Sequence, residues 1–128
     1  AAARANGQRD MRHRIEHIEL ITRTDMARLG ALGITASLQP SHAPGAMDFP
    51  QGAMEEVIAP HRWPDAYLWK TLADHGAPLA FASDWPVADV NPMRSIQAAL
   101  TRVPYAGAAD ERVGLMATLQ AYTAGGAR

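Results

Sequence analysis

The run Leu79-Ala80-Phe81-Ala82-Ser83-Asp84-Trp85-Pro86-Val87 decides how the chain is read. Its apolar part, bounded by Gly76 and Pro78 before and Pro86 after, has the length and flanks of a buried strand. Pro86 lacks an amide hydrogen and pushes Trp85 toward extended geometry, so the strand should end there. Asp84 then stands at the carboxyl end of a strand covered on both faces. In α/β folds that edge binds ligands, and in α/β barrels it gathers catalytic residues. Aspartate is also a common turn residue, so the competing reading is that Asp84 caps the turn.

Upstream of this strand, residues 65–75 read as a helix, with Asp65 at its start, Tyr67, Leu68, Trp69 and Leu72 inside it and Gly76 at its end. Downstream, Asn91-Pro92 is a strong helix opening, and Met93, Ile96, Leu100 and Val103 follow at helical spacing. A last helix is expected over residues 110–122, with Val113, Met116, Leu119 and Gln120 as its stripe. Further upstream, Ile34-Thr35-Ala36-Ser37-Leu38 is a short strand ended by Gln39-Pro40. Residues 22–32 form a helix that Thr22 or Thr24 can cap, with Asp25 at its positive end and Gly33 to stop it. Residues 41–64, rich in Pro, Gly, Ala and Met, read as a long loop with one helical turn near Glu55. Residues 11–21 read two ways. Met11, Ile15, Ile18 and Ile21 make a helical stripe, which the periodicity favours; as a strand, Ile15, His17, Glu19 and Ile21 would share a face. Strands alternating with helices imply an α/β fold with a parallel sheet. Ala1 to Ala5 read as the end of a helix stopped by Asn6-Gly7, and Ala124-Gly125-Gly126 follows a helical pattern directly. Both ends are expected to be cuts through a larger protein.

A chain of 128 residues suits one domain with a real core. Twelve basic and thirteen acidic residues give a formal charge of −1 without long runs of either sign. That balance argues against a nucleic-acid footprint or a polybasic membrane patch. With no cysteine there is no disulfide, thiolate metal site or cysteine nucleophile. Apolar runs fall far short of the ~18 residues of a membrane span, and the expected location is the cytoplasm.

His13-Arg14-Ile15-Glu16-His17 fits the pattern H-x-x-E-H. On a helix, His13 and His17 would lie one turn apart and could grip zinc with Glu16 as base, the arrangement of a small zinc peptidase. The pattern is short, and both histidines could equally be ordinary. His42 follows Gln39-Pro40 just past a strand end; His61 falls in a loop and His75 in a last helical turn, where the helix dipole suits it. No phosphate-binding glycine loop, G-x-S-x-G elbow or dinucleotide fingerprint is present. His17, His42 and Asp84 each fall at or near a strand end, and together they weigh more than any one alone.

Arg12-His13-Arg14-Ile15-Glu16-His17, Thr35-Ala36-Ser37-Leu38-Gln39-Pro40-Ser41-His42 and Ala82-Ser83-Asp84-Trp85-Pro86-Val87 resemble, in order and spacing, the amidohydrolase superfamily, and within it the YtcJ-like, amidohydrolase-3 branch. Arg62, Tyr67-x-Trp69-x-x-Leu72, Asn91-Pro92, Ala99-x-Thr101-Arg102 and Ala121-Tyr122-Thr123 extend the resemblance over nearly the whole chain.

The resemblance implies a fragment of a (β/α)₈ TIM-type barrel, about strands 6 to 8 with their helices. The entire chain, residues 1–128, would then be a partial catalytic domain. It implies His17 as a metal ligand at the end of the sixth strand and His42 as a substrate contact after the seventh. It implies Asp84 of the eighth strand as both metal ligand and catalytic residue, taking a proton from the attacking water and handing it to the leaving nitrogen. The cofactor would be a divalent metal, zinc foremost, and the reaction hydrolysis of C–N bonds in a small amide-type substrate. The family's H-x-H on the first strand, its metal-bridging Lys or Glu on the fourth and its fifth-strand histidine have no counterpart here. A barrel needs roughly 250 residues, so the remainder of the barrel is an expected partner and the chain alone is expected to be inactive. A further reading is a non-catalytic α/β module that self-associates through unpaired strand edges.

Overall fold

Three short strands, Arg14–Glu16 (β1), Thr35–Leu38 (β2) and Leu79–Phe81 (β3), form one parallel sheet in the order β1-β2-β3. The structure is a computed structural model that describes residues 2–7, 10–46 and 51–127. Ala1, the first residue of the expected helix end, and residues 47–50 of the expected long loop lie outside the described residues. Arg14, Ile15 and Glu16 pair with Thr35, Ala36 and Ser37, and Ala36, Ser37 and Leu38 pair with Leu79, Ala80 and Phe81. β2 is central and buried at all four positions, whereas all three residues of β1 are exposed. This settles residues 11–21 against the helical stripe: the segment contains a strand, because its backbone joins the ladder of β2.

The helices are Ala2–Ala5 (α1), Arg23–Leu32 (α2), Gln51–Glu55 (α3), Trp69–Asp74 (α4), Pro92–Thr101 (α5) and Leu115–Gln120 (α6), the last running into a π-helical turn, Ala121–Gly125. α2 crosses from β1 to β2 and buries Met26 and Leu29. Thr22 holds its N-cap, but its hydroxyl donates to Asp25 Oδ2 at 2.7 Å rather than accepting from the backbone. Gly33, at φ 64°, ends the helix in the left-handed conformation that an L side chain adopts only with strain. Inside α2, Gly30 lies against the last turn of α4: a Cβ there would be 2.1 Å from the carbonyl oxygen of His75.

The helix expected over residues 65–75 is shorter. Residues Pro60–Asp65 form a 3₁₀ turn, and α4 begins only at Trp69. Tertiary hydrogen bonds explain the difference. Tyr67 N–H donates to Glu19 O at 2.9 Å, and Leu20 and Ala66 form an antiparallel bridge, so residues 66–67 are used to anchor the chain leaving β1. The helix expected over residues 110–122 also starts late. Asp110 accepts from a nearby amide, Arg112 N, at 3.0 Å, and Val113 N–H goes to Ala99 O at 3.1 Å. Its expected stripe fails in part: Met116 and Leu119 are exposed, while Thr118 and Ala121 are buried. α5 opens as expected, with the Asn91 side chain accepting from Met93 N at 3.0 Å.

The core joins the sheet to α4, α5 and the C-terminal turn through aromatic rings. Trp69 meets Phe81 at 6.1 Å, Phe81 meets Tyr122 at 5.6 Å, and Tyr67 meets Tyr105 at 6.4 Å. Arg102, which ends α5, is buried among them. Its guanidinium lies 4.6 Å above the Trp69 ring and donates to Tyr67 O at 2.6 Å. Glu111, also buried, accepts from Thr71 N at 2.8 Å and Thr71 Oγ1 at 2.5 Å, so it ties the α5–α6 connection to α4.

Candidate metal centre

Parallel strands send their carboxyl ends to one edge, so residues that follow β1, β2 and β3 meet there. His17 comes directly after β1, and its amide donates to Ser37 O at 2.8 Å, which extends the pairing with β2 by one step. The chain then leaves the strand abruptly: His17 and Ile18 have φ of 72° and 53°. A left-handed, β-branched Ile18 is a real backbone outlier, and strain of this kind collects at functional sites. His42 closes the 3₁₀ turn Pro40–His42 after β2 and is buried. Asp84 lies three residues past β3, at φ 60°, with its carbonyl accepting from Val87 N at 2.8 Å. The strand expected to run toward Pro86 therefore stops at Phe81, though Ala82 N–H still donates to Leu38 O at 3.0 Å.

These three side chains converge. Nε2 of His17 lies 3.8 Å from Oδ2 of Asp84, and Nε2 of His42 lies 4.0 Å from the same oxygen. The two imidazoles stack with centroids 5.7 Å apart and planes 21° from parallel. One donor atom from each of His17, His42 and Asp84 falls within 4.8 Å of the others. Two imidazole nitrogens and a carboxylate oxygen suit zinc and similar divalent cations, whose tetrahedral ligands stand about 3.3 Å apart. The donor set fits a metal after a small inward adjustment.

A fourth residue, absent from the sequence expectations as a site residue, completes the cluster. Oε1 of Glu19 lies 3.2 Å from Nδ1 of His17 and 3.7 Å from Nδ1 of His42. Burial works to raise the Glu19 carboxyl. The facing His42 imidazole, Glu19's own backbone amide and the His17 charge outweigh it and hold the group below the usual carboxylate range. The signal for Glu19 was its shared face with His17 in the strand reading of residues 11–21.

The helical H-x-x-E-H arrangement does not occur. Residues Arg14–Glu16 are a strand, and on extended backbone residues four apart are separated by about 13 Å. Glu16, the base of that reading, accepts from Arg14 Nε at 2.6 Å. Burial pushes its carboxyl up, but the Ser37 hydroxyl and Arg14 guanidinium hold it lower than usual. His61 is exposed in the Pro60–Asp65 turn and His75 is exposed at the end of α4; neither joins the cluster.

Residues 1–128 match a family model described as "Amidohydrolase family". The chain is 37% identical over 132 residues to the Arabidopsis thaliana protein LONG AFTER FAR-RED 3, covering 100% of this chain and 22% of that protein. It is 32% identical over 97 residues to YtcJ of Bacillus subtilis (strain 168), assigned by name to the amidohydrolases, covering 76% of this chain and 17% of that one. Two solved structures, uncharacterized metal-dependent hydrolases from Pyrococcus furiosus and Pyrococcus horikoshii OT3, superpose with TM-scores of 0.75 and 0.80 at 28% and 25% identity. Each match covers 98% of this chain and 25% of the other. The chain thus spans about a quarter or less of the length of the proteins it matches.

Proposed function

The chain belongs to the amidohydrolase family, and on that premise we propose that it is the part of a metal-dependent hydrolase barrel that carries strands 6 to 8, acting on C–N bonds of small amide-type substrates. The convergence of His17, His42 and Asp84 from the ends of three successive parallel strands supports this reading most directly. A bound divalent cation, zinc foremost, lowers the pKa of water from ~15.7 to about 7 and polarises a carbonyl oxygen. His17 and Asp84 would hold it here. Asp84 would also move the proton, its carboxylate taking it from the attacking water and returning it to the leaving nitrogen. His42 would contact the substrate, and its Nε2, at 4.0 Å from Asp84 Oδ2, is also within reach of the cation.

Catalytic zinc sites usually have three protein ligands plus an open position. The remaining ligands would come from the rest of the barrel, which would pair along the exposed outer edge of β1. A hollow of about 780 Å³ lies between β1 and α2, lined by Ile15, Ile21, Leu29, Ile34 and Ile58. The 128-residue chain alone should therefore be inactive and bind zinc only weakly. Among the described residues no helix is long and apolar enough to cross a membrane.

The deciding experiment offers a panel of amides, formamides and cyclic ureides to the full-length protein. Hydrolysis abolished by chelation, restored by zinc and lost in Asp84→Asn is expected. Hydrolysis that survives both chelation and Asp84→Asn would end the reading. A full-length protein that binds no metal and turns over nothing would favour a non-catalytic module instead.

A further inference from the structure

We propose that Glu19 is a positioning residue: its carboxylate turns the two stacked imidazoles so that both Nε2 atoms face Asp84. The inference rests on the metal-site reading above. The same two rings are flanked by one oxygen on each side. Oε1 of Glu19 faces Nδ1 of His17 at 3.2 Å and Nδ1 of His42 at 3.7 Å. Oδ2 of Asp84 faces the Nε2 atoms of the same rings at 3.8 and 4.0 Å. The Glu19 carboxylate acts on His17 as a close charge beside Nδ1, while the His42 imidazole does most to hold that carboxyl low.

A neutral imidazole carries one proton, and the nitrogen without it offers the lone pair. Placing that proton on Nδ1 beside a carboxylate leaves Nε2 free to bind a cation. Glu19 itself is well anchored. Its carbonyl accepts from Tyr67 N at 2.9 Å, and Leu20 bridges Ala66, so the backbone of the segment after β1 is pinned. The chain turns through left-handed backbone at His17 and Ile18, and Glu19 Oε1 comes to lie 3.2 Å from Nδ1 of His17.

The experiment reads the ring nitrogens of ¹⁵N-histidine in the full-length protein without metal, at a pH where the imidazoles are neutral. The wild type is expected to hold His17 with its proton on Nδ1. In Glu19→Leu, the ring is expected to revert to the Nε2–H form that free imidazole prefers, and zinc affinity is expected to fall by roughly 10–100-fold. Glu19→Gln keeps the volume and removes the charge; if Glu19→Leu does not fold, Glu19→Gln is expected to weaken the Nδ1–H preference of both rings, and unchanged tautomers would overturn the proposal. A wild-type His17 protonated on Nε2, or tautomers that ignore the removal of the carboxylate, would overturn the proposal. A Glu19-dependent Nδ1–H tautomer in a chain without zinc affinity would uphold the positioning role and sink the metal reading alone.

Discussion

Nε2 of His17 and Oδ2 of Asp84 lie 3.8 Å apart at the shared carboxyl edge of the sheet, although the outer strands that carry them are joined only through β2. Two groups serving one cation lose their effect together, so their removals should not add. In the full-length protein, His17→Ala and Asp84→Ala should each weaken zinc binding more than the roughly 10–100-fold typical of partners outside the coordination sphere. The double variant should be little worse than the weaker single. Titration calorimetry giving fully additive losses would mean that the two residues do not share an ion.

The contact between Gly30 and the carbonyl of His75 predicts intolerance at a helical position where alanine would normally be favoured. A Cβ 2.1 Å from a backbone oxygen forces α2 and α4 apart. Gly30→Ala should therefore cost about 1–3 kcal/mol, the range for overpacking a tight site, despite alanine's better helix propensity. The measurement is the urea midpoint. An unchanged or raised midpoint would show that the two helices can separate freely.

Much of this arrangement was legible in the residues. The apolar runs that open at Ile34 and Leu79 gave two strands, the second expected to reach as far as Trp85, and the parallel alternation put His17, His42 and Asp84 at one edge. What escaped was set by long-range hydrogen bonds that no local pattern carries. The helical stripe of Met11, Ile15, Ile18 and Ile21 competes with a strand only three residues long, and the partner that decides between them, β2, begins at Thr35. Residues 66–67 looked helical because nothing nearby announces that Tyr67 N–H belongs to Glu19 O. Glu19 was on the right face in the strand reading, but its role depends on the turn at His17 and Ile18, and two non-glycine residues with positive φ have no sequence signature.

Arg102 acts through delocalised charge. It covers the Trp69 ring at 4.6 Å and the Tyr67 ring at 5.6 Å while donating to Tyr67 O. A lysine ammonium is a point charge and cannot span these three contacts. Arg102→Lys should lower stability by about 2 kcal/mol, in line with a desolvated cation–π contact, and leave the net charge unchanged. A denaturation curve indistinguishable from wild type would assign Arg102 to the surface in solution.

The exposed residues of β1 predict self-association of the isolated chain. Among the described residues no strand pairs with its outer edge, which lies beside Ile15, itself exposed. Sedimentation should show concentration-dependent association, and Ile15→Lys should reduce it by placing a charge on the edge. A compact monomer at all concentrations would contradict this.

The three tyrosines, Tyr67, Tyr105 and Tyr122, predict a late and cooperative alkaline transition. Burial pushes all three phenols up, Tyr105 to about 12, while the Ser95 hydroxyl pulls Tyr122 back only in part. A group whose folded pKa is raised binds its proton more tightly in the native state than in the unfolded chain. The corresponding stability is complete below the ordinary phenol value of about 10 and is lost as pH rises through the folded values. Ultraviolet titration of the native chain should therefore show little phenolate at about pH 10, where the urea-unfolded chain is already half ionised. Phenolate should then appear together with loss of the circular dichroism of the Trp63–Tyr105 stack, whose rings lie 5.4 Å apart. Reversible ionisation of a tyrosine near its ordinary value with the fold intact would show that its hydroxyl meets water in the native state and that the aromatic core is looser than the packing of Tyr67 and Tyr105 requires.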